Sequence, residues 1–181
     1  MPTHRGLRTM AVVLTALLVL AASPARAADE LDWDAIGKEA VELLRQYLRI
    51  DTTNPPGNEI AAAEFFARLL AAEGIDAEVF ESRPGRGNLV ARLEGDGSRG
   101  GHIVLLNHMD VVPVSAEFWS VDPYAAEIVD GQIYGRGVTD MKADGIVQIL
   151  ALLALKRAGV ELGRDVIFMA TAAEETGGIE G

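Results

Sequence analysis

The chain has 181 residues, 27 acidic against 16 basic, no cysteine, and a formal net charge of -11. This balance excludes a nucleic-acid binder, which needs a basic stripe, and disfavours docking on an anionic membrane surface. With no disulfide framework available, stability must come from packing.

Taken in chain order, the first 27 residues read as a secretory signal peptide rather than as fold. Arg5 and Arg8 make a basic start, Met10 to Ala22 is an apolar run broken only by Thr15, and Ala25-Arg26-Ala27 offers the small residues a signal peptidase reads. The run falls short of the roughly 20 residues that span a bilayer, so no stable membrane insertion is expected after cleavage. Cleavage after Ala27 would export the protein, to the periplasm or the medium. The remainder, Ala28 to Gly181, suits one domain with a real core.

Ile36, Ala40, Leu43, Leu44, Tyr47 and Leu48 recur at helical spacing and predict an amphipathic helix over Asp34 to Ile50. Asp51-Thr-Thr-Asn-Pro-Pro-Gly57 ends it as a loop. Ile60, Phe66, Leu69 and Leu70 mark a second helix, with Gly74 where a C-terminal cap belongs. Ala77 to Glu81 and Asn88 to Leu93 alternate apolar with polar, as half-exposed strands do. Arg83-Pro-Gly-Arg-Gly87, between them, has turn composition and nothing more specific. His102 to Asn107 carries the continuous apolar run Ile103-Val-Leu-Leu106, which predicts a central strand. Ala126 to Val129 and Gln132 to Tyr134 flank Asp130-Gly131, a strong hairpin signal. Asp140 to Ala158 reads as a long helix, apolar nearly all round and buried against the sheet, and Asp165 to Ala170 as a core strand. The whole predicts an α/β layered domain, with a mixed central sheet flanked by helices and its chemistry at strand C-terminal ends.

Two clusters stand at such ends, and a further acid stands at a helix start. His108 and Asp110, two apart in an extended segment, face the same way. A carboxylate there can accept the imidazole N–H that a metal does not use, although His-x-Asp alone is a weak signal and also suits a surface histidine. Asp140 precedes a helix, where aspartate serves as an N-cap; the same position would hold a metal-bridging carboxylate rigidly. Glu174 and Glu175 close an apolar run, either as solvated acids or as a metal ligand beside a general base. Zinc takes nitrogen and carboxylate oxygen ligands and keeps an open position for water. No phosphate-cradling Gly-rich loop and no Gly-x-Ser-x-Gly elbow is present.

Leu106-Asn-His-Met-Asp-Val-Val-Pro113, Gly135-Arg-Gly-Val-Thr-Asp-Met-Lys142 and Thr171-Ala-Ala-Glu-Glu-Thr-Gly-Gly178 resemble the signature blocks of one zinc metallohydrolase family. It is the family of aminoacylase, bacterial glutamate carboxypeptidase and succinyl-diaminopimelate desuccinylase. Asp51 to Gly57 and Trp119-x-x-Asp-Pro-Tyr124 fit it too. The resemblance implies a zinc-dependent exopeptidase-like fold and hydrolysis of an amide bond in a small peptide or N-acyl amino acid. It implies two zinc ions, with cobalt or manganese as alternatives. His108 would bind the first ion, Asp140 bridge both and Glu175 bind the second. Glu174 would be the general base and Asp110 the partner of His108. It also implies a cis peptide at Asp140-Met141. Family members are considerably longer, with a further carboxylate ligand, a late histidine ligand and an inserted lid domain that often forms a homodimer surface. Residues 28–181 are therefore expected to be the N-terminal part of a catalytic domain, incomplete at the C-terminus and inactive alone. The alternative is a truncated, non-catalytic exported binding domain. A carboxylate-pair glycosidase would leave His108 and Asp140 without a task.

Overall fold

The computed structural model describes residues 31–181, so the expected signal peptide lies outside the described residues. Helix α1 spans Trp33–Leu48 and is capped by Asp32, whose carboxylate accepts from the Ala35 N–H at 2.9 Å. It buries Leu43, Tyr47 and Leu48. Helix α2, Glu59–Ala72, buries Phe65, Phe66 and Leu70. It ends at Gly74 (φ +65°) as its spacing predicts, with Gly74 N–H on the Ala71 carbonyl and Ile75 N–H on that of Leu70. This is the Schellman arrangement that lets an achiral residue turn the chain out of a helix.

Strands β1 (Ala77–Arg83), β2 (Arg86–Leu93), β3 (His102–His108) and β6 (Asp165–Thr171) form one mixed sheet in the order β1-β2-β6-β3. The β1/β2 and β2/β6 pairs are antiparallel, and β3/β6 is parallel. A separate hairpin joins β4 (Glu127–Val129) to β5 (Gln132–Tyr134) through Asp130 and Gly131, both at positive φ, as the sequence predicts. Helix α3, Ala143–Arg157, packs between α1 and the sheet. Leu89, Ala91, Val166, Phe168 and Ala170 meet the helices on one face of the sheet. There Tyr47, Phe65, Phe66 and Phe168 make a chain of aromatic contacts with centroids 4.9–5.6 Å apart. Full burial of a phenylalanine ring is worth about 1.5–3 kcal/mol. Among the described residues, no helix is long and apolar enough to cross a membrane.

Two expectations differ from what the described residues show. The apolar run in β3 is expected to mark a central strand. Among the described residues β3 is an edge strand paired only with β6, and Val104 and Leu106 on its outer side are about half exposed. A continuous apolar run reports affinity for both faces of a sheet, not strand order. The long helix also does not begin at Asp140. Val138–Lys142 forms a separate turn with non-helical dihedrals at Asp140 and Met141, and the regular helix starts at Ala143.

The parallel pair β3/β6 positions the site. With His108 opposite Thr171, the chain leaves both strands at the same end, and Met109 N–H still bonds the Thr171 carbonyl at 2.8 Å. The segments beginning at His108 and Ala172 therefore emerge side by side.

Candidate metal centre

His108 is the last residue of β3 and is buried, as is Asp110. Its Nδ1 lies 3.1 Å from the Asp110 carbonyl oxygen and 3.3 Å from Asp110 Oδ1. Two acceptors on that side hold a proton on Nδ1, while Nε2 meets carboxylates from the other segments. Nε2 is 3.1 Å from Asp140 Oδ1 and 3.9 Å from Glu174 Oε2. Burial alone would lower the pKa of His108, but hydrogen bonds to Asp110 and Asp140, with the charges of Asp110 and Glu174, raise it to about 9.

Ala173 sets the second segment. At φ 63° it reverses the chain after β6, and Glu174–Thr176 follow as a single 3-10 turn. The reversal aims two backbone donors inward: Glu174 N–H bonds Asp110 Oδ1 at 3.0 Å and Glu175 N–H bonds Oδ2 at 3.1 Å. Asp110 thus joins both segments. Burial works to raise its pKa, yet His108, Asn54 and these N–H groups hold it below the usual carboxylate range. Glu175 is shifted the other way, first by burial and then by the neighbouring Asp140, Asp110 and Glu174 carboxylates, against the pull of His108.

Asp140 arrives from a third direction. Its peptide bond to Met141 is cis, as the resemblance implied. The turn begins at Gly137 (φ +85°), where a Cβ would lie 2.5 Å from Val111 Cγ1. It closes with Lys142 N–H on the Gly137 carbonyl at 2.8 Å. Asp140 does not cap α3: no side chain caps that helix, and the Asp140 carboxylate, largely exposed, faces His108. Behind it Lys142 is buried, with Nζ donating to the Tyr47 carbonyl at 3.2 Å and the Ile50 carbonyl at 2.7 Å and lying 4.7 Å from the Tyr47 ring. Burial, opposed by the charge of Asp51, lowers the Lys142 pKa to about 7.

The structure therefore brings all five sequence-predicted residues to one place. One ligand atom each from His108, Glu174 and Glu175 lies within 4.8 Å of the others, and Asp140 approaches the same imidazole nitrogen. A cleft of about 170 Å³, lined by Trp119, Arg136, Asp140 and Glu175 among others, opens beside them. The Arg136 guanidinium stacks over Trp119 at 5.4 Å. The donor set of one imidazole nitrogen and several carboxylate oxygens is the set that zinc accepts. The field that keeps a proton on His108 to about pH 9 would equally draw a cation. The residues present fit a divalent metal.

Sequence reasoning missed a buried group behind the site. Arg86, in the segment read only as a turn, lies 3.2 Å from Glu59 Oε1 with both side chains buried. Asn54, in the loop after α1, links that pair to Asp110. Gly57 (φ +85°) leaves the room that the Arg86 guanidinium fills, because a Cβ there would collide with it.

Residues 104–181 match the family model described as Peptidase family M20/M25/M40. Aminoacylase-1 of Sus scrofa is 37% identical over 143 residues, covering 78% of this chain and 35% of that protein. Among solved structures, human carnosine dipeptidase 1 superposes with a TM-score of 0.72 at 23% identity, over 87% of this chain and 36% of that one. An M20 family metallo-carboxypeptidase from Sulfolobus solfataricus gives 0.67 at 23% identity, over 78% and 32%. The stretch of this chain that matches spans only about a third of each relative, 35% for aminoacylase-1. The two structural likenesses bear on the fold alone.

Proposed function

The chain belongs to the M20/M25/M40 peptidase family, and from that premise we propose that the protein is a metal-dependent hydrolase of amide bonds in small peptides or N-acyl amino acids. The observation that carries this reading is the convergence of His108, Glu174 and Glu175 on one point within 4.8 Å, with Asp140 facing the same imidazole. We assign His108, Asp140 and Glu175 as the residues that would hold zinc, two ions in the complete site, with cobalt or manganese as alternatives. When bound, the metal supplies polarisation of the scissile carbonyl and a more acidic water.

The chain's own residues do the rest. Asp110 keeps the proton on His108 Nδ1, so Nε2 offers its lone pair to the site. Glu174, exposed at the rim and anchored by its own N–H, takes a proton from the attacking water and returns it to the leaving amine. The cleft between Trp119 and Asp140 receives one side of the substrate.

The test is amine release by the complete protein from a panel of N-acetyl amino acids and dipeptides, before and after dialysis against a chelator. Loss of activity on chelation and its return with zinc, cobalt or manganese is the expected result. Hydrolysis indifferent to chelation would overturn the reading. We also propose export to the periplasm or the medium, on the pattern of residues 1–27. A mature protein whose first residue is not near Ala28 would count against that.

A further inference from the structure

The buried group formed by Glu59, Arg86 and Asn54 is absorbed neither by the proposed ligand set nor by the hydrophobic core. Its three members come from α2, from the start of β2 and from the loop after α1. Arg86 Nη1 donates to Asn54 Oδ1 at 3.0 Å and to the Pro56 carbonyl at 2.9 Å, beside Glu59 Oε1 at 3.2 Å. Glu59 Oε1 also accepts from the Ala173 N–H at 3.3 Å. Asn54 Nδ2 donates to Asp110 Oδ2 and to Thr176 Oγ1, both at 2.8 Å.

An asparagine amide can face either way, and its partners decide which way it does. Here the decision is forced from behind. Arg86 has donors only, so the Asn54 oxygen must turn to it and the NH2 group must turn to Asp110. A flipped amide would set an oxygen against the Asp110 carboxylate and an NH2 group against the guanidinium. The two N–H bonds of Asn54 then reach both segments that carry the site: Asp110 behind His108, and Thr176 directly after Glu174-Glu175. Glu59, through the Ala173 N–H, holds the residue that reverses the chain before those glutamates. Burying an ion pair is weak evidence of stabilisation, since an apolar pair often serves as well. A buried pair whose further hydrogen bonds end at one functional segment has another use.

We propose that Asn54 is a positioning residue for the metal centre: oriented by the Glu59–Arg86 pair, it fixes Asp110 and the turn at Glu174–Thr176, and through them the spacing of His108, Glu174 and Glu175. This rests on the metal-dependent reading above. It adds residues from three further elements to the machinery and makes the loop Asp51 to Gly57 a structural part of the site.

The experiment is cobalt binding by the whole protein, read by equilibrium dialysis and by the visible absorption of bound cobalt, for wild type and Asn54→Leu. The substitution keeps the branched shape and adds no charge. Loss of a direct hydrogen-bonding partner of a metal ligand weakens metal binding by about 10–100-fold; Asn54 acts one step further out, through Asp110, so a loss of about 10-fold, with an altered cobalt spectrum, is the expected result. Ile149→Val, a core change remote from the chain of bonds, should lower the melting temperature and leave the spectrum alone. Where Asn54→Leu does not fold, the double variant Glu59→Gln/Arg86→Met takes its place. It leaves no buried charge unpaired and removes the donor that orients the amide, and the same direction of change is expected. Wild-type affinity and spectrum in whichever variant folds would overturn the positioning role. A wild-type protein that takes up no cobalt or zinc would instead overturn the metal-dependent reading itself.

Discussion

The backbone N–H of Glu174 sits 3.0 Å from Asp110 Oδ1, so the residue assigned as base is tethered to the carboxylate that orients the assigned ligand His108. Base and ligand share one anchor, and a change at Asp110 should disturb both.

Asp110→Asn keeps the shape but removes the charge and one acceptor. The Glu174 and Glu175 N–H groups, Asn54 Nδ2 and His108 Nδ1 all converge on this carboxylate, and the amide cannot accept from all of them. A buried donor left unpaired costs about 1–3 kcal/mol. Urea unfolding should show a loss of that order, and dialysis a fall in zinc affinity. Unchanged values in both would disprove the shared anchor.

Glu174→Gln should abolish most turnover and leave the metal in place. A positioned acid–base group contributes about 10²–10⁴-fold. The side chain stands at the rim, and the backbone N–H that docks on Asp110 survives the substitution. Zinc content near wild type with kcat reduced by that factor is the expected pair of results. Near-normal turnover would remove Glu174 from the base role.

Metal uptake by the metal-free protein should release a proton and strengthen with pH. Coordination needs a neutral imidazole, and His108 holds its proton to about pH 9. Below that value each pH unit should raise apparent affinity by about tenfold for the one proton displaced. His108→Ala should lower affinity and flatten the slope, as read by calorimetry in buffers of different ionisation enthalpy. A slope that persists in the variant would locate the proton elsewhere.

Lys142 gives a pH dependence of stability rather than of metal binding. Its pKa falls from 10.5 to about 7 on folding, so between those values the unfolded chain binds more protons than the folded one. Stability contributed by this site therefore rises with pH across that window and levels off below about 7. The unfolding free energy of wild type relative to Lys142→Met should climb from pH 7 to pH 9. A pH-independent difference would show that the ammonium does not titrate on folding. Lys142→Met should also slow turnover, because the bonds to the Tyr47 and Ile50 carbonyls hold the Asp140 turn to the end of α1.

The sequence made the local part of this site legible. The candidate residues at the ends of β3 and β6 all stand within four positions of a strand end, and a parallel pair must bring such ends together. Asp130-Gly131 and Gly74 announced their turns because only certain residues accept positive φ at low cost. What stayed hidden was long-range or double-valued. Glu59 and Arg86 meet across 26 intervening positions, and no local pattern marks their union. Asp140 suits a helix cap and a metal equally by residue type; in the structure it caps no helix and its carboxylate faces the His108 imidazole. The apolar run of β3 announced a strand and not its place in the sheet.

That place has a practical side. Among the described residues the outer edge of β3 is unpaired, and Ile103, Val104 and Leu106 on that strand leave an oily surface beside it. A bare edge bordered by apolar side chains invites strand addition by any neighbour in solution. A concentrated preparation of residues 31–181 should thicken and scatter light on standing. A single lysine, Val104→Lys, should prolong its shelf life more than any change near the cleft.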